Sequence, residues 1–320
     1  MPTVLMTGGT GMVGRALSSA LVQKGYKIII LTRQLTGRPR SVNISYALWD
    51  IKKKEIDLQA VQEADYIIHL AGAGVMDKKW TVGYKKEILD SRIRSGQLIL
   101  DTLKQHSNSV KAFISASAIG WYGIDRSNSH FADQQGFTEE ENADPGFLGE
   151  TCRQWEESLE PAALLGIRLV KFRIGIVLTN DGGALVEFKK PLKMGIAAIL
   201  GNGKQIISWV HIEDLCRIFI SAIENYQLKG SYNAVAPEPV TNKTLILKLA
   251  IAMRGGFYIP VHIPVFLLKL LVGQRSIEIL KSVTVSCRKI KDTGFTFLYP
   301  SIEAAIDRLI RLSGRPSGNS

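Results

Sequence analysis

Three glycines spaced three apart, Gly8, Gly11 and Gly14 in MTGGTGMVGRAL, stand between a short apolar run and a helix-like stretch. No other feature restricts the fold of this chain as much. A glycine turn at such a junction lets backbone come close to a ligand. It also leaves the first N–H groups of the following helix, with the helix dipole, free to hold negative charge. A glycine triplet can equally make a tight turn with no ligand, so its meaning depends on its surroundings.

Those surroundings alternate. TVLMT (3–7) is apolar and β-branched, and MVGRALSSALVQKG carries apolar residues at helical spacing until Gly25. KIIILTR (27–33) and the more polar ISYALWD (44–50) read as second and third strands, and ADYIIHLAGAG (64–74) as a fourth that ends in small residues. VKAFISASAIGWYG (110–123) and IRLVKFRIGIVL (167–178) give a fifth and a sixth, with helical patterns at 80–105 and 147–165. Apolar runs alternating with helices of ten or more residues predict an α/β protein whose parallel sheet is covered on both faces. Right-handed crossovers then make the sheet doubly wound. The glycines fall at the first strand-to-helix junction of that pattern, so dinucleotide binding is favoured over a bare turn.

The end of the second strand says which dinucleotide. A site for NAD usually has an acidic residue there, roughly 20 residues past the glycines, to hold the ribose 2′-hydroxyl. Here the segment reads LTRQLTGRPR, and the first Asp or Glu of the chain is Asp50. Thr32 and Arg33 occupy the strand end, with Arg38 and Arg40 just beyond. A planar guanidinium suits a 2′-phosphate in two-point contact, so the expected cofactor is NADP(H).

After residue 178 the regularity loosens into two loop-then-helix stretches, NDGGALVEFKKPLKMG and GNGKQIISWVHIEDLCRIFISAIENY. From about 236 a Pro-rich, mostly helical segment follows, ending in a helix at 301–312 and a tail, SGRPSGNS, expected to fray. The expected organisation is a dinucleotide-binding domain over 1–235, with 178–206 contributing to a substrate cleft that 236–320 completes. YIPVHIPVFLLKLLVG (258–273) is interrupted by Pro260, Pro264 and Lys269 and is too short to span a bilayer, so it reads as core or cleft wall. No repeat or low-complexity tract is present.

The net charge of +11 raises the question of a polyanion partner. The basic residues are scattered, with only short clusters such as IKKK, DKKW and YKKE, and no aromatic-interleaved RNA motif occurs. The charge is therefore assigned to an anionic small molecule, with no nucleic acid and no membrane as partner. Cys152, Cys216 and Cys287 are far apart and without CxxC spacing, which argues against a disulfide framework or a metal site and for a reducing, cytoplasmic setting. The chain reaches its glycines within seven residues and shows no charged leader region.

Together these residues resemble an extended short-chain dehydrogenase/reductase. Within that superfamily the chain is similar to the epimerase-like branch (the NAD-dependent epimerase/dehydratase family), some members of which carry a SulA-like "cell division inhibitor" label. TGGTGMVG, HLAGAG, KKEILDSRIRSGQLI, SASAIGWYG, SWVHIEDL and GFTFLYPSIEAAI follow the order and spacing of that branch over essentially the whole length. Each is weak alone; together they are specific. The resemblance implies a Rossmann fold with a smaller C-terminal substrate-side region. It implies cofactor contacts from Gly8, Gly11, Met12, Val13 and Gly14, with Thr32 and Arg33 on the adenosine-phosphate side and Asp50 near the adenine. It adds Leu70, Ala71 and Gly72 at the exit of the fourth strand, Glu87 and Arg92 on the long helix, and Val177 by the nicotinamide. Without it, Glu87 and Arg92 read as an inconsequential surface pair. It also implies a homodimer paired through the helices at 80–105 and 147–165.

The chain departs from the superfamily in its chemistry. Short-chain dehydrogenases usually combine a Ser or Thr after the fifth strand with Tyr-x-x-x-Lys on the next helix, where the lysine lowers the tyrosine pKa and the phenol moves the proton. Ser117 fits the serine position. In PGFLGETCRQWEESL, aligned on Glu156, Leu148 stands for the tyrosine and Cys152 for the lysine. Leucine has no proton to give and a thiol has no fixed positive charge. Tyr122, in GWYG, is the nearest other phenol, although a tyrosine there commonly just packs beside the cleft. Ser117 and Tyr122 are thus the catalytic candidates. His211 reads either as a substrate contact or as a loop histidine near Asp214, His69 as a hydrogen-bonded core residue, and Cys152 as a thiol with no visible partner base. No GxSxG, HExxH or Walker motif occurs.

Two functions remain. One is an NADP(H)-dependent oxidoreductase or nucleotide-sugar epimerase-like enzyme with a divergent active site and a small-molecule substrate. The other is a non-catalytic NADP(H)-binding, redox-responsive protein.

Overall fold

The structure is a computed structural model that describes residues 1–38, 41–125 and 136–313. In chain order it begins β1 (Thr3–Thr7), α1 (Met12–Gln23), β2 (Lys27–Thr32), β3 (Ile44–Asp50), β4 (Glu55–Ile56), α2 (Leu58–Gln62) and β5 (Tyr66–His69). Then come α3 (Val82–Gln105), β6 (Ala112–Ala118), α4 (Phe147–Glu157), α5 (Pro161–Leu164), β7 (Arg168–Ile174) and β8 (Ile176–Leu178). These are followed by α6 (Gly183–Lys193), β9 (Ile196–Leu200), β10 (Ile206–Ile207), β11 (Trp209–His211), α7 (Ile212–Glu224) and β12 (Gly230–Ala234). The chain closes with β13 (Val240–Thr241), α8 (Asn242–Arg254), β14 (Ile259–Ile263), α9 (Val265–Val272), α10 (Ser276–Leu280), α11 (Arg288–Asp292) and α12 (Ile302–Ser313).

These elements form two compact units. The first comprises Met1–Trp121, Asn142–Arg173 and Cys216–Tyr232; the second holds the described residues of Tyr122–Glu141, Ile174–Leu215 and Asn233–Ser320.

An eight-stranded sheet in the order β12-β7-β6-β5-β1-β2-β3-β4 organises the first unit. β1 lies parallel to both neighbours, with Val4 opposite Ile28 on one side and Tyr66 on the other. β2 and β3 pair in parallel, as do β5 and β6, while β4 closes one edge as an antiparallel hairpin. Consecutive residues of β1, β5 and β6 are buried, so these strands are covered on both faces, as their unbroken apolar runs require. α1 turns Gly14, Leu17, Ser18 and Leu21 inward at helical spacing. The chain builds outward from β1 through β2 and β3, then returns to build the other way through β5, β6 and β7. Strand order therefore reverses between β1 and β5, and a doubly wound sheet opens its crevice at the carboxyl ends of the strands on either side of such a reversal.

Two elements differ from the sequence pattern. The helix expected over 147–165 is two helices, because Pro161 cannot continue α4 and instead starts α5. The strand expected over 167–178 breaks at Gly175. A Cβ there would lie 2.7 Å from the Ser208 carbonyl oxygen and 2.8 Å from the Val235 side chain, so only glycine admits that approach. β8 then pairs in parallel with β11.

The second unit packs α6, α8 and α12 around β9, with Leu192, Ala197, Ile199, Trp209, Leu249 and Ile306 in its core. β9 runs parallel to β14, with Ile196 opposite Ile259 and Leu200 opposite Ile263. The segment 258–273 forms β14 and α9 and is not buried as expected: Phe266 is 73% and Leu270 79% exposed. α9 is apolar except for Lys269 and buries only Leu268. Among the described residues no helix is long and apolar enough to cross a membrane. Arg40 and residues 314–320 of the tail lie outside the described residues.

Candidate dinucleotide and active site

The glycine loop is shaped by contacts that a side chain would fill. Gly8 has φ +68°, and a Cβ on it would sit 2.8 Å from the Leu70 carbonyl. On Gly14 a Cβ would come within 2.3 Å of the Gly8 oxygen, and on Gly11 within 3.2 Å of the same atom. Gly9, which the spacing argument passed over, is closed by Ile30 at 2.8 Å. α1 starts at Met12 with Gly11 as a cap that offers no side-chain bond, and no acidic residue occupies its first turn. Its leading N–H groups therefore stay available to an anion, with Met12 and Val13 half-buried behind them.

Thr7, at the end of β1, ties this loop to the exit of β5. Its Oγ1 accepts from Leu70 N at 3.2 Å and Ala71 N at 3.1 Å, which directs its own proton to His69 Nδ1 at 2.8 Å. His69 Nε2 then donates to Ser95 Oγ at 3.2 Å on α3. Burial lowers the His69 pKa to about 4, so the ring is neutral and serves as the core hydrogen-bonding residue expected of it.

At the end of β2, Thr32 Oγ1 donates to the Gln34 carbonyl at 3.1 Å and accepts from Arg38 Nη2 at 3.0 Å. Arg38 is held further by Nε donating to the Gln34 carbonyl at 3.2 Å and by lying 5.9 Å from the Tyr46 ring centre. Arg33 is exposed and has no partner among the described residues. Asp50, at the end of β3, accepts from Lys52 N at 2.8 Å and Lys53 N at 3.2 Å, which closes the turn into β4.

Arg92 is not the surface residue that its position alone suggests. Its Nη1 donates to the Ala73 carbonyl at 3.0 Å and the Ile88 carbonyl at 2.8 Å, and its guanidinium lies 5.1 Å from the Trp155 ring centre. A Cβ on Gly72 would meet Arg92 at 3.1 Å, so the loop after β5 runs directly over it. Glu87 remains on the exposed face of α3, 3.4 Å from Lys78. The glycine loop, Thr32, Arg33, Asp50, Leu70, Ala71 and Gly72 thus gather at the carboxyl ends of β1, β2, β3 and β5, with Arg92 beneath the last of them. Val177 lies in the second unit, half-buried in β8 opposite Val210.

Ser117, next to last in β6, belongs to a buried ionic cluster. Its Oγ donates to Glu156 Oε1 at 2.7 Å, and Glu156 is 3% exposed. Arg173 reaches the same carboxylate through Nε at 2.8 Å and Nη2 at 3.1 Å, Ser231 Oγ donates to it at 2.9 Å, and Lys171 Nζ lies 3.7 Å away. Lys171 also pairs with Glu160. Burial alone would raise the Glu156 pKa, but the hydrogen bonds and charge of Arg173, the charge of Lys171 and the Ser117 hydroxyl together hold it below its ordinary value. The Arg173 guanidinium stacks 3.5 Å from the Trp121 ring centre. One signal for this cluster was present in the sequence. Lys171 and Arg173 alternate on one face of β7, which is otherwise apolar after Arg168, and buried charge survives only when paired.

The positions of the missing pair are filled by packing. Leu148 lies 3.3 Å from where a Cβ on Gly120 would be. Burial, then the Glu156 charge, push the Cys152 thiol up to about 12, so it is a neutral thiol at physiological pH. Tyr122 sits inside the second unit, fully buried, its hydroxyl donating to Asn233 Oδ1 at 2.6 Å and its ring stacked on Phe137. His211 is buried against Tyr299, and its Nδ1 accepts from Glu213 N at 3.2 Å. Its Nε2 has no partner among the described residues, while Asp214 accepts from the backbone of Leu298 and Tyr299. Among the described residues no three metal-ligating side chains cluster.

Fold and site together define a doubly wound α/β protein with a dinucleotide cradle at its strand reversal. Residues 4–145 match the NAD-dependent epimerase/dehydratase family, and residues 263–309 match a domain of unknown function, DUF1731. The epimerase family protein SH2119 of Staphylococcus haemolyticus is 34% identical over 97% of this chain and 99% of its own length. The crystal structure of the human epimerase family protein SDR39U1 (isoform 2) with NADPH superposes with a TM-score of 0.83 at 25% identity, covering 97% of this chain and 99% of that one. A nucleoside-diphosphate sugar epimerase from Corynebacterium glutamicum gives a TM-score of 0.74 at 29% identity over 97% of this chain and 58% of its own. The chain belongs to the NAD-dependent epimerase/dehydratase family of extended short-chain dehydrogenase/reductases.

Proposed function

We propose that this protein binds NADP(H) and acts on a small molecule as an epimerase-like oxidoreductase that works without a Tyr-x-x-x-Lys pair. The end of β2 carries the proposal. Arg33 is exposed and without a partner among the described residues, Arg38 is braced beside it, and no carboxylate precedes Asp50. The human relative crystallised with NADPH supports the same choice.

In this reading the N–H groups behind Gly11 hold the pyrophosphate, the two guanidiniums hold the 2′-phosphate, and Leu70 to Gly72 wall the crevice. The bound nicotinamide would supply the hydride. Ser117, oriented by Glu156, and Tyr122, bonded to Asn233, are the catalytic candidates. The proposed setting is reducing and cytoplasmic, on the wide spacing of Cys152, Cys216 and Cys287 in the sequence. Two copies pair through α3 and α4, as the family resemblance implies; a monomer in sedimentation would remove that part.

Fluorescence titration with NADPH and NADH tests the cofactor. A charge-assisted contact to the extra phosphate favours NADPH by roughly ten- to a hundredfold, and Arg33→Asp narrows or reverses the preference. Equal affinities in the unaltered protein would refute it.

One observation favours the second reading, a cofactor-binding protein without turnover: the only proton of Ser117 is already donated to Glu156. Following NADPH absorbance over a panel of carbonyl compounds and nucleotide sugars separates the two. Turnover that Ser117→Ala abolishes supports the enzyme, whereas silence with tight NADPH binding supports the binding protein.

A further inference from the structure

Within the second unit a groove of about 610 Å³ runs between α8 and β14. That is the size of a small-molecule site. One wall is a helical stripe, Lys243, Leu247 and Ile251, spaced four apart and so stacked on one face of α8. The other wall is Tyr258, Pro260 and His262, alternate residues along the strand, and Ile199 of β9 forms the floor. Gly255, at φ +61°, turns the chain from the helix into the strand, so the two walls run in opposite directions.

This antiparallel arrangement makes the groove polar at one end and apolar at the other. At the polar end, Lys243 N donates to the Gly203 carbonyl at 3.0 Å, and His262 Nδ1 donates to the Gly201 carbonyl at 2.9 Å. The start of α8 and the His262 ring thus flank the same turn after β9. Lys243 is exposed and has no counter-ion among the described residues. It stands in the first turn of α8, where the dipole favours an anion and no acidic residue supplies one. No carboxylate lines the groove. Leu247, Ile251 and Tyr258 form the far end, and Ile251 is left 57% exposed. From Lys243 to Ile251 the stripe is about 12 Å long at the rise of an α-helix, the scale of a medium-length alkyl chain.

We propose that this groove binds a single-chain amphiphile with an anionic head, a medium-chain carboxylate, with the head at Lys243 and the first turn of α8 and the chain along Leu247, Ile251 and Tyr258. The pairing is chemical: an uncompensated cation at one end and uncovered aliphatic surface at the other match a ligand divided in the same way. The proposal does not depend on the cofactor reading, because none of the residues it uses is among the cofactor candidates.

Calorimetric titration of the full chain with decanoate is the test, with butyrate and decyltrimethylammonium as comparisons. Decanoate is expected to bind saturably at one site. Butyrate, lacking most of the chain, binds at least about tenfold more weakly, and the cationic amphiphile does not compete. Lys243→Glu should weaken decanoate by about three- to tenfold, as for an exposed charge at a helix start. Ile251→Glu should abolish saturable binding. Both positions are exposed, so both variants are expected to fold, and their NADPH titrations should match the unaltered protein. Decanoate binding unchanged in both variants, or decyltrimethylammonium binding as tightly as decanoate, would overturn the proposal.

Discussion

Replacing Glu156 by alanine should destabilise this protein more than most single substitutions in it. The carboxylate is 3% exposed and accepts from Ser117, Ser231 and two nitrogens of Arg173. Removing it takes from the buried Arg173 the carboxylate that its Nε and Nη2 bond, and takes one of two carboxylates from Lys171. Breaking a buried pair from one side costs about 3–5 kcal/mol, mostly the penalty of the stranded charge. Removing both sides is different. Glu156→Leu with Arg173→Met replaces ions by side chains of similar volume, and such exchanges are often near neutral. The double variant is thus expected to recover most of what the single one loses. The pH dependence has a fixed sign. Because its pKa is lower in the folded chain than its ordinary value of 4.5, Glu156 contributes fully above that value, and the contribution fades as pH falls through the folded pKa. Urea unfolding of the three proteins at neutral pH, repeated towards pH 3, measures all of this. A Glu156→Ala variant within about 1 kcal/mol of the unaltered chain, or a double variant no better than the single, would refute the reasoning.

Other outcomes follow from the same geometry. Gly14→Ala puts a Cβ 2.3 Å from the Gly8 oxygen, so the loop must move and NADPH affinity should fall by at least about tenfold, read by fluorescence; unchanged affinity would separate the loop from the cofactor. His69 is neutral in the folded chain, with a pKa near 4 against 6.5 for a free ring. Its contribution is complete above pH 6.5 and is lost as pH falls towards 4, a difference of order 3 kcal/mol. His69→Gln should flatten the stability profile over that range, and an equally steep profile would place the dependence elsewhere.

What could be read from the sequence was local. The alternation of mostly apolar runs with helical stretches located β1, β2, β5 and β6 because a parallel strand covered on both faces is buried at nearly every position. The glycine loop and the arginine-rich end of β2 were visible because each depends on residues a few positions apart. Features set by distant partners were hidden. Gly175 breaks a strand only because Ser208 comes against it, and the setting of Tyr122 depends on Asn233, 111 residues away. Glu156 served the sequence reading only as an alignment mark, since its partners come from β6, β7 and β12. The exposure of α9 was missed for a related reason: an apolar helix shows no face preference, so the pattern cannot say how much of it will be covered.

Thr32 does more than end a strand. By fastening Arg38 before any ligand arrives, it leaves Arg33 as the only side chain of the pair still to be immobilised, avoiding up to about 2 kcal/mol of rotamer entropy for the other. In the proposed NADP(H) site coenzyme choice is thus divided between an arginine already anchored and one still to be ordered, and loosening the hydroxyl of Thr32 should add to the narrowing that removing the guanidinium of Arg33 produces.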